Sequence, residues 1–116
     1  MNYDNFFYPA EDLDESKKFY NEVLELPIKF DFSQKGMIAF NVGNEEAAII
    51  IKDKQKFPDI QPSVWIEVEN VQTTYEKLLK KNVKFRSKPF KIPTGWVVEL
   101  YDPSGNIIGI TDYNTE

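Results

Sequence analysis

The feature that most constrains this chain is that one order of sequence patterns runs through it twice. Glu11-Asp12-Leu13, which opens an amphipathic stretch, recurs as Glu69-Asn70-Val71 at an offset of 58 (69 against 11). Further on, Gly36-Met37-Ile38-Ala39-Phe40 through Ile49-Ile50-Ile51 overlies Gly95-Trp96-Val97-Val98-Glu99 through Ile108-Gly109-Ile110 at an offset of 59 (95 against 36), with no gap. A repeat of pattern types predicts a repeat of structural units.

Residues 5–9 are aromatic-rich and short, as a strand would be. Asp12 can cap a helix with Glu15 three residues on, and Ser16, Phe19, Tyr20, Val23 and Leu24 follow at helical spacing until Pro27 marks the exit. Residues 28–32 alternate with period two, and 37–42 and 47–51 read as further strands. After residues 53–62, whose Lys54, Lys56, Pro58 and Pro62 suit an exposed connector, the order repeats. Val64, Ile66 and Val68 alternate with Ser63, Trp65 and Glu67. Asn70 caps a helix with a stripe of Val71, Thr74, Tyr75, Leu78 and Leu79, and Asn82 suits the left-handed conformation that ends it. Residues 83–85, 96–101 and 106–110 complete three strands, with Asp102-Pro103-Ser104-Gly105 as a tight turn. The expected fold is α+β: two tandem βαβββ modules, 1–52 and 63–116, forming a cup-shaped mixed sheet with one main helix per module in a single domain, 1–116.

Composition narrows the chemistry. The chain has neither cysteine nor histidine, so thiolate and imidazole are excluded as nucleophiles, bases or ligands, and Asp and Glu are the only strong donors for a divalent ion. A net charge of −5 argues against nucleic acid as a partner. The densest basic stretch, 80–91, is interrupted by Val83, Phe85, Pro89 and Phe90 and reads as a strand edge carrying protective lysines. No apolar run approaches a membrane span, and residues 1–4 lack a signal-peptide layout, so the expected location is cytoplasmic.

Two segments resemble the vicinal oxygen chelate superfamily, which includes glyoxalases, bleomycin resistance proteins and ring-cleaving dioxygenases. Residues 11–24, EDLDESKKFYNEVL, are similar to its D-L-x-x-S-x-x-F-Y-x-x-x-L-G signature, with Glu25 where the signature has glycine, and Asp102-Pro103-Ser104-Gly105-Asn106 resembles its D-P-x-G-N turn. In metal-using relatives the ligands fall seven residues before the signature Asp of each half and on the last strand of each half. Carried across, these positions hold Asn5, Ser63, Ile50 and Gly109, none of them His or Glu. The resemblance therefore implies a member with no metal and no other cofactor, nearest in character to the bleomycin resistance group, and a homodimer, since homodimers are common there.

If Val64, Ile66 and Val68 pack beneath the second helix, Ser63, Trp65 and Glu67 face the cup, as do Asn5, Phe7 and Pro9 in the first half. Candidate ligand-binding residues are then Phe7, Trp65, Glu67, Trp96 and Glu99, an aromatic lining with carboxylates suited to a planar aromatic or cationic small molecule, antibiotics included. Each aromatic could instead fill the core. Glu67 and Glu99 could serve as an acid/base pair of a lyase, isomerase or dioxygenase, or could point to solvent or pair with a lysine.

Overall fold

A computed structural model describes residues 1–115. They fall into two compact units, residues 5–62 and residues 1–4 together with 63 onward. The first unit is built from residues 5–10 of β1 (Asn2–Ala10), α1 (Leu13–Lys18) running into a π-helical segment (Phe19–Val23), β2 (Ile28–Phe32), β3 (Met37–Asn41) and β4 (Ala48–Asp53). Its strands lie in the order β2-β3-β4-β1, antiparallel except for the parallel β4–β1 pair. The second unit carries β5 (Ser63–Glu67), α2 (Val71–Leu79), β6 (Lys84–Phe85), β7 (Phe90–Ile92), β8 (Gly95–Tyr101) and β9 (Ile107–Thr111). Here the order is β5-β9-β8-β6, with β5–β9 parallel and β7 also paired to β8. The α+β class and the doubled βαβββ plan are as the sequence predicts; the short strand β7 is an addition that the basic, proline-interrupted stretch conceals. None of the described helices is long and apolar enough to cross a membrane.

The helices begin where their caps are. The Asp12 carboxylate accepts from the Glu15 N–H at 3.1 Å, and the Asn70 side chain from the Thr73 N–H at 2.9 Å. Asn82 ends its turn at φ 63°. Glu25, the residue standing where the signature has glycine, is itself left-handed at φ 59°, a conformation that costs a side chain roughly 1 kcal/mol. Glu25→Gly is expected to raise the unfolding free energy by about that much in urea titrations; an unchanged or lower midpoint would show that the side chain compensates for its backbone.

Each helix covers one face of its own sheet. In the first unit Ala10, Ile38, Phe40 and Ile51 are buried against Leu13, Tyr20, Leu26 and Ile49. In the second, Val71, Val98, Leu100 and Ile110 are buried against Ile66, Tyr75, Leu78 and Trp96, among others. These cores correct the gapless overlay of the halves. Ile51 corresponds to Ile110 at an offset of 59, but Ile38 and Phe40 correspond to Val98 and Leu100 at 60. The reason lies in the hairpin loops, six residues (42–47) between β3 and β4 and five (102–106) between β8 and β9. The shorter loop is the Asp102 turn, whose carboxylate accepts from the Ser104 and Asn106 N–H groups and the Asn106 amide at 2.8–2.9 Å, with Gly105 at φ 84°.

Residues 53–62 are folded back onto the first unit. The N–H groups of Lys56 and Phe57 donate to the Asp53 carbonyl, the Phe57 ring lies 4.7 Å from the Lys52 ammonium, and a Cβ on Gly36 would meet that ring at 3.3 Å.

Candidate functional site

The face of the second unit's sheet turned away from α2 can be laid out as a grid, because paired residues on adjacent strands point to the same side. Reading across β5, β9 and β8, one row is Ser63, Ile107 and Tyr101; the next is Trp65, Gly109 and Glu99; the third is Glu67, Thr111 and Val97. Alternation along β5 and β8 thus brings Trp65, Glu67 and Glu99 to one face. Ser63 is nearly buried, while Trp65, Glu67 and Glu99 are half-buried.

The centre of the grid has no side chain of its own. A Cβ built on Gly109 would lie 2.4 Å from Trp65 Cδ1 and 2.5 Å from Nε1, closer than atoms pack. The indole of Trp65 therefore lies flat over the Gly109 backbone. It occupies the space into which a residue at 109 would project.

On the far side of Gly109, the Glu99 carboxylate faces the Arg86 guanidinium at 3.6 Å, both groups only partly exposed, and the Arg86 N–H donates to the Glu99 carbonyl at 2.9 Å. Arg86 is the only arginine in the chain. Its rigid, permanently charged fork suits an ion pair away from bulk water better than any of the lysines would. At the other end of the grid, the Tyr113 hydroxyl donates to the Asp4 carboxylate. Burial, that hydrogen bond, and the charges of Asp4 and Glu67 hold the phenol well above its usual range. The result is a neutral tyrosine with two carboxylates about it.

Two other predicted residues lie elsewhere. Trp96 shares β8 with Glu99 but points to the opposite side, packing with Val98 and Leu100 in the helix core. There it walls a cleft of about 270 Å³ with Asn70, Pro89 and Asp112, and the Lys91 ammonium sits 5.7 Å from its ring. Phe7, in the first unit, is 6% exposed in the row Phe7, Ile50, Ala39, with the Lys52 ammonium 5.0 Å from its ring. It is a packed residue of that unit.

Sequence reasoning missed Arg86 and Asp112. Asp112 is 2% exposed and collects three backbone N–H groups, those of Val71 at 2.8 Å, Trp96 at 3.0 Å and Asn114 at 3.1 Å. It ties the start of α2 and the start of β8 to the end of β9.

The metal positions implied by the family resemblance do not make a metal site. The Asn5 amide oxygen accepts from the Ala48 N–H at 2.9 Å, Ile50 is aliphatic, and Gly109 is roofed by Trp65. Among the described residues no group of three Asp or Glu side chains converges. Such a set offers no anionic oxygens to offset dehydration of a divalent ion.

The sequence model of the Glyoxalase/Bleomycin resistance protein/Dioxygenase superfamily matches residues 3–110. No curated protein sequence matches significantly. Among solved structures, one described as an NAD-dependent benzaldehyde dehydrogenase from Legionella pneumophila superposes with a TM-score of 0.77 at 13% identity, covering 95% of this chain and 98% of its own. A superfamily member from Vibrio splendidus gives 0.72 at 12% identity, with 92% and 95% covered. Methylmalonyl-CoA epimerase from Mycobacterium tuberculosis gives 0.74 at 14%, with 97% and 88% covered. At these identities the likeness is one of fold, and it spans nearly the whole of each chain.

Proposed function

Because the chain belongs to the glyoxalase/bleomycin resistance protein/dioxygenase superfamily, a scaffold that hosts several chemistries, we propose that it is a metal-independent binding protein for a small planar aromatic or cationic molecule, antibiotics of that character included. The observation that carries this reading is the Trp65 indole lying over Gly109, an aromatic platform at the position where the family resemblance implies a metal ligand. Stacking and cation–π contact on such a platform are worth about 0.5–2 kcal/mol each. The carboxylates of Glu67 and Asp4 favour a positively charged ligand. The cysteine-free chain suits a reducing, cytoplasmic setting.

The two tryptophans give a direct test, since they lie on opposite faces of the second unit. In Trp96→Phe the only indole is Trp65, and titration with planar aromatic cations is expected to quench it; Trp65→Ala is expected to weaken binding by roughly tenfold or more. Quenching confined to Trp96, or affinity untouched by Trp65→Ala, would remove the platform from the reading. A second reading, an acid/base catalyst of the lyase or isomerase type, draws on Glu67 and Glu99 sharing this face. Turnover of a hemithioacetal or a CoA thioester that is lost in both Glu67→Gln and Glu99→Gln would favour it.

A further inference from the structure

Charge in the second unit is completely sorted. Residues 63–116 hold seven Lys or Arg and seven Asp or Glu, and all seven basic residues fall between Lys77 and Lys91, a stretch with no acid in it. The structure gathers that stretch along one edge. It runs from the last turn of α2 through β6 and β7, both of which pair with the edge of β8 that β9 leaves open, and no strand lies beyond them among the described residues. The Tyr75 and Phe85 rings, 4.7 Å apart, hold the end of α2 against β6.

Local roles account for only part of this. Lysines at a helix C-terminus complement its dipole, and lysines on a sheet edge discourage pairing, but neither role requires that acids be absent. Lys77, Lys80, Lys81, Lys84, Lys88 and Lys91 are exposed, and none pairs with a carboxylate among the described residues, in contrast to Lys17 and Lys54 in the first unit. Acids on neighbouring elements are engaged elsewhere. Glu99 faces Arg86 at 3.6 Å, the Glu76 carboxylate accepts from the Gln72 amide at 3.3 Å, and the Asp102 carboxylate is held within its own turn. Leu79, 46% exposed, and Phe90, 41% exposed, lie in the same stretch. A nucleic-acid backbone offers an aliphatic side chain nothing, whereas leucine and phenylalanine among lysines suit the boundary between anionic headgroups and acyl chains.

We infer that the edge running from the end of α2 to β7 is a peripheral docking surface for an anionic lipid membrane, with the lysines on the headgroups and Leu79 and Phe90 entering the interface. Attraction to such a surface decays within a Debye length, about 8 Å at physiological ionic strength, so acids farther off than that oppose it little once this edge is turned toward the lipid. The test is co-sedimentation of the full-length chain with vesicles of equal parts phosphatidylcholine and phosphatidylserine, against phosphatidylcholine alone. Binding is expected only to the former, and it should fall steeply as salt is raised. Lys81→Glu with Lys84→Glu, both at exposed positions, is expected to lower the partition coefficient by roughly tenfold or more. Lys77→Glu with Lys88→Glu provides a second reversal should the first variant fail to fold. Lys18→Glu with Lys35→Glu changes the net charge equally but in the first unit, and should leave binding within about twofold. No sedimentation with the anionic vesicles at low salt, or equal losses in the edge and first-unit variants, overturns the inference. So does tighter binding to a single-stranded oligonucleotide that the edge variants abolish, which assigns the edge to nucleic acid instead.

Discussion

Replacing Asp112 by alanine is expected to remove about 4 kcal/mol of stability, enough to leave a domain of this size largely unfolded at physiological temperature. The carboxylate is 2% exposed and accepts from three backbone N–H groups on three different segments. Without it those donors remain buried, at about 1–3 kcal/mol for each that finds no water. Asparagine rescues only in part, enough to leave a folded population at low temperature, because its amide oxygen still accepts while its nitrogen turns a donor toward a donor. The surrounding backbone cannot close in, as Gly95 already sits so near that a Cβ there would lie 2.3 Å from the Asp112 carbonyl oxygen. Burial alone would raise the Asp112 carboxyl, but the hydrogen bonds from Val71, Trp96 and Asn114 outweigh it and the net shift is downward. A carboxyl depressed in the folded state contributes stability that is fully present above its unfolded value, about 3.9, and is lost as pH falls below that toward its folded value. Urea midpoints measured between pH 6 and pH 2.5 should therefore fall more steeply below about pH 4 for the wild-type chain than for Asp112→Asn. Parallel acid limbs would show that Asp112 does not carry the effect. Asp31, pulled down to about 2 by the hydrogen bonds from Lys17 and Ser33, has the same sign. It lies in solvent, however, and Asp31→Asn should cost well under about 1 kcal/mol.

The contrast between these two aspartates shows what a sequence reveals and what it hides. Asp12 and Asn70 were legible as caps because a cap is a local event, three residues long. The repeat, the faces of β5 and the Asp102 turn were legible for the same reason, since strand alternation and turn chemistry are written in adjacent residues. Asp112 was not, because its partners Val71 and Trp96 lie 41 and 16 residues away, and only the topology that brings α2 and β8 to the end of β9 creates the site. The placement of Trp96 beside Glu99 was recoverable and was missed: positions three apart on one strand face opposite sides, so both could not have lined the same wall. The one-residue difference between the hairpin loops hid this, because an overlay without a gap matches Glu99 to Phe40, a helix-side residue buried at 0%. Arg86 left a faint signal, a lone arginine in a lysine-rich stretch.

The second large effect concerns the Trp65 platform and takes the form of a double-mutant cycle. Gly109→Ala in the wild-type chain is expected to cost about 3 kcal/mol, since the new methyl would lie 2.4–2.7 Å from three atoms of the indole and the rigid ring must tilt or lift to admit it. Backbone strain adds nothing, because Gly109 does not occupy a left-handed conformation. Trp65→Ala alone should cost about 2–3 kcal/mol for the lost aromatic burial. In the Trp65→Ala background the same methyl meets open space, and alanine is the better strand residue, so Gly109→Ala should become neutral or slightly stabilising. The coupling between the two positions is then about 3 kcal/mol, at the upper end for residues in contact. Additive free energies would mean that the indole is free to move off Gly109, and the platform would lose its rigidity along with its claim to bind a ligand. A strong coupling says the reverse: glycine at 109 is the condition for holding a tryptophan flat on the sheet, and the absence of a side chain there is what makes room for the aromatic surface.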